Sequence, residues 1–347
     1  MFRNHRTQQA MNDLKKLGEF GFIGNIQKQL KARSPHVLTG IGDDCAVLSP
    51  SGKKQLIVTT DALIEGVHFD LAWTSPSALG EKAIAVNVSD ISAMGGEPTA
   101  ALISLGIPAK LPLKFLQQFY KGIDSACKQY NIELCGGDTV ASKKDLFINI
   151  VLLGQTNASR TFYRTGAQTG DLIYVTGTLG DSALGLKLLK SRRKKWNAKE
   201  SDLKFLIKKH LQPTARLKES RVLALSALKI TAMIDVSDGL VQDLHHICQS
   251  SKVGAVLNLQ SLPRSKAFQR VSSFNKLNAN ELAFHGGEDY ELVFTLPPQD
   301  AKKMEKLFQK SQISLIGEIL PTPDSIFIKE ADGKLKPVKK LQGYQHF

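Results

Sequence analysis

Ala232-Met233-Ile234-Asp235 runs without a break into Val236-Ser237-Asp238-Gly239-Leu240. An apolar run of strand length stops at an aspartate, a second aspartate follows three residues on, and a helix-length pattern begins. Residues 232–235 read as a strand and 238–250 as a helix. A strand feeding a helix through an acidic turn is the unit of an α/β sheet, whose ligands gather at the carboxyl ends of the strands. Asp235 and Asp238 straddle that junction, so both carboxylates can reach one metal ion.

Working outward, 172–176 reads as a strand, 177–180 as a turn and 181–190 as a helix; 255–259, 290–296, 313–319 and 325–329 read as further strands. Upstream, strand-like runs at 56–60, 100–105 and 146–153 alternate with helical stretches at 77–94 and 113–130. An apolar pattern within 13–32, broken by glycines, suits one or two short helices. A turn-rich link covers 155–170. Two domains of the α/β (α+β) class are expected, 1–160 and 161–347, which suits a chain of 347 residues.

Hydrophobic residues make up 42% and charged residues 22% of the chain, as in a soluble globular protein, and no apolar run approaches the roughly 18 residues of a membrane helix. The cytoplasm is the expected location. Cys45, Cys127, Cys135 and Cys248 form no CxxC pair, so they read as reduced thiols and not as a zinc site. A net charge of +14 favours encounter with polyanions. The densest basic run, Lys190-Ser191-Arg192-Arg193-Lys194-Lys195-Trp196, has one aromatic residue beside it and no stacking ladder, so it reads as a solvated loop or helix face and not as a nucleic-acid site.

Against that basic background stand six acidic segments: Gly42-Asp43-Asp44, Thr59-Thr60-Asp61, Val88-Ser89-Asp90, Gly136-Gly137-Asp138-Thr139, Asp235-Val236-Ser237-Asp238-Gly239 and Gly286-Gly287-Glu288-Asp289. Any one of them is ordinary turn or cap chemistry. Six together, several with doubled acids, exceed what turns require and suit hard oxygen ligands around Mg²⁺ and phosphate. The double glycine before Glu288 lets backbone approach a ligand closely, and Glu288 is the best second-half contact for a positively charged part of a substrate. Arg164 and His68 are the basic candidates. The chain has neither GxxxxGK[ST] nor the protein-kinase loop set, so a bound ATP would depend mainly on carboxylate-held Mg²⁺.

These segments, in this order and at these spacings, resemble the thiamine-monophosphate kinases, of the superfamily that also holds aminoimidazole ribonucleotide synthetase, selenophosphate synthetase and HypE. The similarity runs from Gly18-Glu19-Phe20 to Gly343-Tyr344 and includes Gly66-Val67-His68-Phe69, Asn87-Val88-Ser89-Asp90 and Gly287-Glu288-Asp289-Tyr290-Glu291-Leu292. It implies ATP-dependent phosphorylation of thiamine monophosphate to thiamine diphosphate by direct in-line transfer, with several Mg²⁺ ions and no catalytic base. It implies a homodimer in which the N-terminal, ATP- and Mg-binding domain contributes strands to a barrel, with a C-terminal α/β domain beside it. Position by position, the implied metal ligands are Asp44, Thr59, Thr60, Asp61, Asp90, Asp138, Asp235 and Asp238. Gly137, Asp138, Arg164 and Ser237 would contact nucleotide, and His68, Glu288 and Tyr344 would contact thiamine phosphate. The tail departs from the family in having Leu341-Gln342 where Trp is usual ahead of Gly-Tyr, and 190–209 is unusually basic. The sequence leaves two alternatives: a sibling ATP-dependent synthetase acting on another small substrate, and a basic nucleic-acid-binding protein, which carboxylate-rich turns disfavour.

Overall fold

The computed structural model describes residues 21, 23, 24, 36–49, 54–191, 195–308, 312–338 and 343. Most of the helical pattern expected within 13–32, the basic residues Arg192, Arg193 and Lys194, and Tyr344 lie outside the described residues.

Two mixed sheets organise the chain. The first has six strands, β1 (Val37–Thr39), β2 (Ala46–Leu48), β3 (Lys54–Ile64), β4 (Glu97–Pro108), β5 (Glu133–Ser142) and β6 (Phe147–Asn157), in the order β1-β2-β3-β6-β4-β5. Only β4 and β5 run parallel. Buried and more accessible residues alternate along β3 and β6, the period-two signature of a sheet covered on one face. The covered face shares its core with α1 (Pro76–Ala93) and α2 (Leu113–Tyr130). The other face leaves Ile64, Leu102, Val140 and Phe147 exposed.

Helix α1 begins at Pro76, and the Ser75 hydroxyl accepts the Ala78 N–H at 3.3 Å. Of its 18 residues 14 are buried, on every side, because β3 and β6 contact it on one flank and the second sheet on the other. Its crossing with α2 depends on two glycines. A Cβ at Gly80 would collide with the Phe119 carbonyl, and one at Gly122 with the Ser77 backbone.

The second sheet has seven strands, β7 (Leu172–Thr176), β8 (Ala232–Val236), β9 (Gly254–Asn258), β10 (Glu291–Leu296), β11 (Ile313–Leu320), β12 (Ile326–Lys329) and β13 (Leu335–Pro337), ordered β13-β12-β9-β11-β7-β10-β8. Around it lie α3 (Asp181–Lys190), α4 (Glu200–Leu211), α5 (Leu217–Leu225), α6 (Leu240–Ser251), α7 (Lys266–Phe274), α8 (Ala279–His285) and α9 (Ala301–Leu307). Every residue of β8 and β10 is buried. Among the described residues neither sheet closes into a barrel, and no helix is long and apolar enough to cross a membrane.

Helix 113–130, strand 172–176 and helix 181–190 fall where the pattern put them, and 232–236 and 240–251 confirm the strand-to-helix junction within two residues. Strand β5 and helices α4, α5, α7, α8 and α9 were not anticipated.

Candidate active site

The carboxyl end of β8, the middle of β3 and the C-terminal half of α1 meet at one cavity of about 980 Å³. Asp235 comes from β8, Asp61 and Thr59 from β3, Asp90 from α1 and Asp44 from the turn before β2. Carboxylate oxygens of Asp44, Asp90 and Asp235 all lie within 4.8 Å of one another. Hydroxyls from neighbouring residues fix two of them: Thr59 Oγ1 donates to Asp90 Oδ2 at 2.5 Å, and Ser89 Oγ to Asp235 Oδ2 at 2.6 Å. The second bond joins a helix of the first half to a strand of the second.

So many buried acids cannot all ionise cheaply. Burial, together with Asp44 nearby, pushes Asp235 up to about 8. Burial pushes Asp61 up to about 6, and burial with the Asp61 and Asp235 charges raises Asp90 well above the usual carboxylate range. Asp43, buried beside Asp44, rises to about 7. An all-oxygen donor set of this kind fits a hard divalent cation, and Asp44 Oδ2 is buried with no hydrogen-bond partner. Mg²⁺ therefore fits the residues present.

Arg164 reaches the cluster from the link between the sheets, its Nη2 donating to Asp44 Oδ1 at 2.7 Å, while its buried Nε has no hydrogen-bond partner. Ser237 and Asp238 line the same cavity. The Asp238 and Gly239 N–H groups both donate to Asp243 Oδ2, at 3.2 and 3.0 Å, so Asp243 caps α6 from within its first turn and shapes the acidic junction. Thr60 lines the cavity, but strand alternation sends its side chain to the opposite face of β3, where it donates to Asn149 Oδ1 at 3.1 Å.

The substrate candidates lie at the other end of the cavity. His68 accepts the Ile64 N–H at Nδ1, 3.0 Å away, which fixes the tautomer with hydrogen on Nε2. The acids after the double glycine divide their tasks. Asp289 accepts the Gly180 and Ser182 N–H groups at 2.5 and 3.0 Å and so caps α3. Glu291 accepts two guanidinium bonds from Arg216 and one from the Thr176 hydroxyl. Glu288 alone of the three lines the cavity, from a left-handed backbone (φ 64°) that a non-glycine residue seldom adopts.

Glu288, expected from the sequence to contact a positively charged part of a substrate, already has two basic partners within the chain. Lys82 Nζ, from α1, sits 2.8 Å from Oε1, and His210 Nδ1, from α4, sits 3.0 Å from Oε2. Burial would raise its pKa, but the Lys82 charge and the His210 bond outweigh burial and hold it at about 2. Sequence reasoning missed both partners. Lys82 carried one signal, a lysine in a helix that is small or apolar on every side; His210 was hidden at the end of Lys208-Lys209.

Gly137 and Asp138 are not brought to this cavity. They lie on edge strand β5, beside a second cavity of about 430 Å³ that Tyr120 also lines. Asp61 pairs with Ile150, Ile150 with Ile103, and Ile103 with Gly137, so three strand spacings, about 14 Å, separate Asp61 from that row. Within one chain Asp138 cannot share an ion with Asp61. Gly137 also has a packing reason to be glycine, since a Cβ there would collide with the Ile103 carbonyl.

Residues 42–156 match the AIR synthase related protein N-terminal domain, and 168–329 match the C-terminal domain of the same family. The chain thus carries both domains of the AIR synthase related proteins. Thiamine-monophosphate kinase from Aquifex aeolicus is 39% identical over 334 residues, covering 96% of this chain and 99% of the relative; that from Escherichia coli K12 is 36% identical over 334 residues, covering 95% and 98%. The solved structure of AaThiL complexed with AMPPCP and TMP superposes with a TM-score of 0.83 at 38% identity, over 96% of this chain and 98% of that one. The chain belongs to the thiamine-monophosphate kinase family.

Proposed function

We propose that this chain transfers the γ-phosphoryl group of ATP directly, in line, to the phosphate of thiamine monophosphate, giving ADP and thiamine diphosphate. The observation that carries the reading is the convergence of Asp44, Asp61, Asp90 and Asp235 on a cavity whose far end presents His68 and Glu288. Mg²⁺ held by these carboxylates, with Thr59 and Asp238, would neutralise the two polyanions that must meet; the Thr60 hydroxyl, turned to the opposite face of β3, is not part of that set.

The chain's own residues supply orientation. Arg164, lodged against Asp44, brings a guanidinium to the metal end, where it suits a nucleotide phosphate, and Ser237 adds a polar contact there. His68 presents an Nε2 donor and Glu288 a fixed acceptor to thiamine phosphate, and Tyr344 of the tail would add an aromatic face. No residue need act as a base, because a phosphate monoester has a second pKa of about 6 and arrives largely as the dianion.

A homodimer completes the reading. The uncovered apolar face and free edge of the first sheet suit pairing with a second copy into a shared barrel, and such pairing gives Gly137 and Asp138 a route to the partner's cavity. The first sheet and its helices, within 1–160, then form the nucleotide, metal and dimerisation domain, and 161–347 the second α/β domain. Free thiols, three of the four buried, suit a cytoplasmic location.

The test incubates the purified chain with Mg-ATP and thiamine monophosphate and measures ADP and thiamine diphosphate in parallel, with EDTA and plain thiamine as controls. Equimolar ADP and thiamine diphosphate, lost with EDTA, are expected. ADP without thiamine diphosphate would identify a sibling synthetase instead.

A further inference from the structure

We propose that Lys82 is a positioning residue for substrate recognition: with His210 it locks the Glu288 carboxylate so that the cavity selects a heterocycle presenting an amino donor over one presenting a carbonyl. This rests on the kinase reading and concerns how its acceptor is told apart from near relatives.

The geometry is specific. Lys82 Nζ lies 2.8 Å from one Glu288 oxygen and 3.5 Å from the His68 carbonyl, so one ammonium ties together the two residues that face the acceptor. The lysine is 2% exposed, and its helix is held between the two sheets, so the charge has little freedom to move. His210 Nδ1 lies 3.0 Å from the other oxygen and 3.1 Å from Ser182 Oγ. A carboxylate only accepts, so His210 carries its hydrogen on Nδ1. Each Glu288 oxygen thus has one position filled from behind, while its side chain stays 25% exposed toward the cavity.

An acceptor-only group whose charge is already balanced discriminates by hydrogen-bond pattern more than by charge. It favours the exocyclic amino group of an aminopyrimidine and opposes a carbonyl oxygen in the same place. Lys82 and His210 touch no substrate in this account; they act through Glu288.

The experiment compares wild type, Lys82→Met, Glu288→Gln and the double variant in steady-state kinetics, using thiamine monophosphate and its 4′-oxo analogue. Wild-type turnover of thiamine monophosphate comes first, and its absence sinks the kinase reading and this one with it. With turnover present, Lys82→Met is expected to raise KM for thiamine monophosphate about tenfold or more. It should leave KM for ATP within about twofold and narrow the preference for the amino over the oxo substrate. In the Glu288→Gln background, adding Lys82→Met should change that KM by less than about twofold. Unchanged KM and preference in Lys82→Met, or an equal loss in both backgrounds, overturns the proposal and leaves the kinase reading standing. Should Lys82→Met alone not fold, Glu288→Gln, which strands the Lys82 charge, is compared with the double variant, which removes both charges, and KM values more than about twofold apart overturn the proposal.

Discussion

Asp61 and Asp235 are costly residues in the folded chain without a cation. Their folded values, about 6 and about 8, lie above an ordinary carboxyl of 3.8. A raised folded value favours the fold while the group is protonated. That contribution is complete below about pH 4 and is lost as pH rises through about 6 and then about 8. The melting temperature of metal-free protein is therefore expected to fall between about pH 5 and pH 8.5, and added Mg²⁺ should raise it more at the upper pH than at the lower. Differential scanning fluorimetry with and without EDTA reads this directly, and equal Mg²⁺ shifts at both values would contradict it. The convergence of Asp44, Asp61, Asp90 and Asp235 was legible because short acidic segments with glycine or small residues recur at places where apolar runs stop. Lys82 and His210 were not, because each reaches Glu288 across a distance in the fold that no local spacing reveals, and Asp243, though its capping bonds are local, looks in sequence like any helix-surface acid.

Among the elements, α1 sets the geometry, since it carries Ser89 and Asp90 to the carboxylate cluster and Lys82 to Glu288. Its place depends on the close crossing with α2 at Gly80 and Gly122. Gly122→Ala is expected to destabilise by about 1–3 kcal/mol through overpacking against backbone that cannot yield. Chemical denaturation would show this as a lower midpoint, and an unchanged midpoint would mean that the helices can part freely. Elements with clean periodicity and punctuation, such as 113–130 and 181–190, were readable in full. Strand β5 was not, because Gly136-Gly137-Asp138 has turn composition and an edge strand exposed along most of its length lacks the alternation that marks a half-buried one. The short helices α7, α8 and α9 are one to three turns long, too short for a 3.6-residue period to stand out.

For the whole molecule, the separation of Asp138 from Asp61 makes a single chain an incomplete site on this reading, and two copies a complete one. Asp138→Asn and Asp235→Asn should each be inactive alone, whereas an equal mixture allowed to exchange subunits should recover about a quarter of wild-type turnover, since half the dimers would hold one intact site of two. No recovery after exchange would mean that Asp138 does not complete the cavity of the partner copy. The basic segment near 190–209 ends, in its described part, as the exposed face of α4, with Lys204 paired to Glu200 at 2.7 Å, while His210 at the end of that helix turns inward to Glu288. The central claim, that buried carboxylates of both halves direct phosphoryl transfer onto thiamine monophosphate, is met most directly by following γ-labelled ATP. Label should enter thiamine diphosphate one-for-one with ADP in wild type, and not at all with EDTA or in a folded Asp235→Asn variant. Label released only as inorganic phosphate, or transfer undiminished in Asp235→Asn, would contradict it.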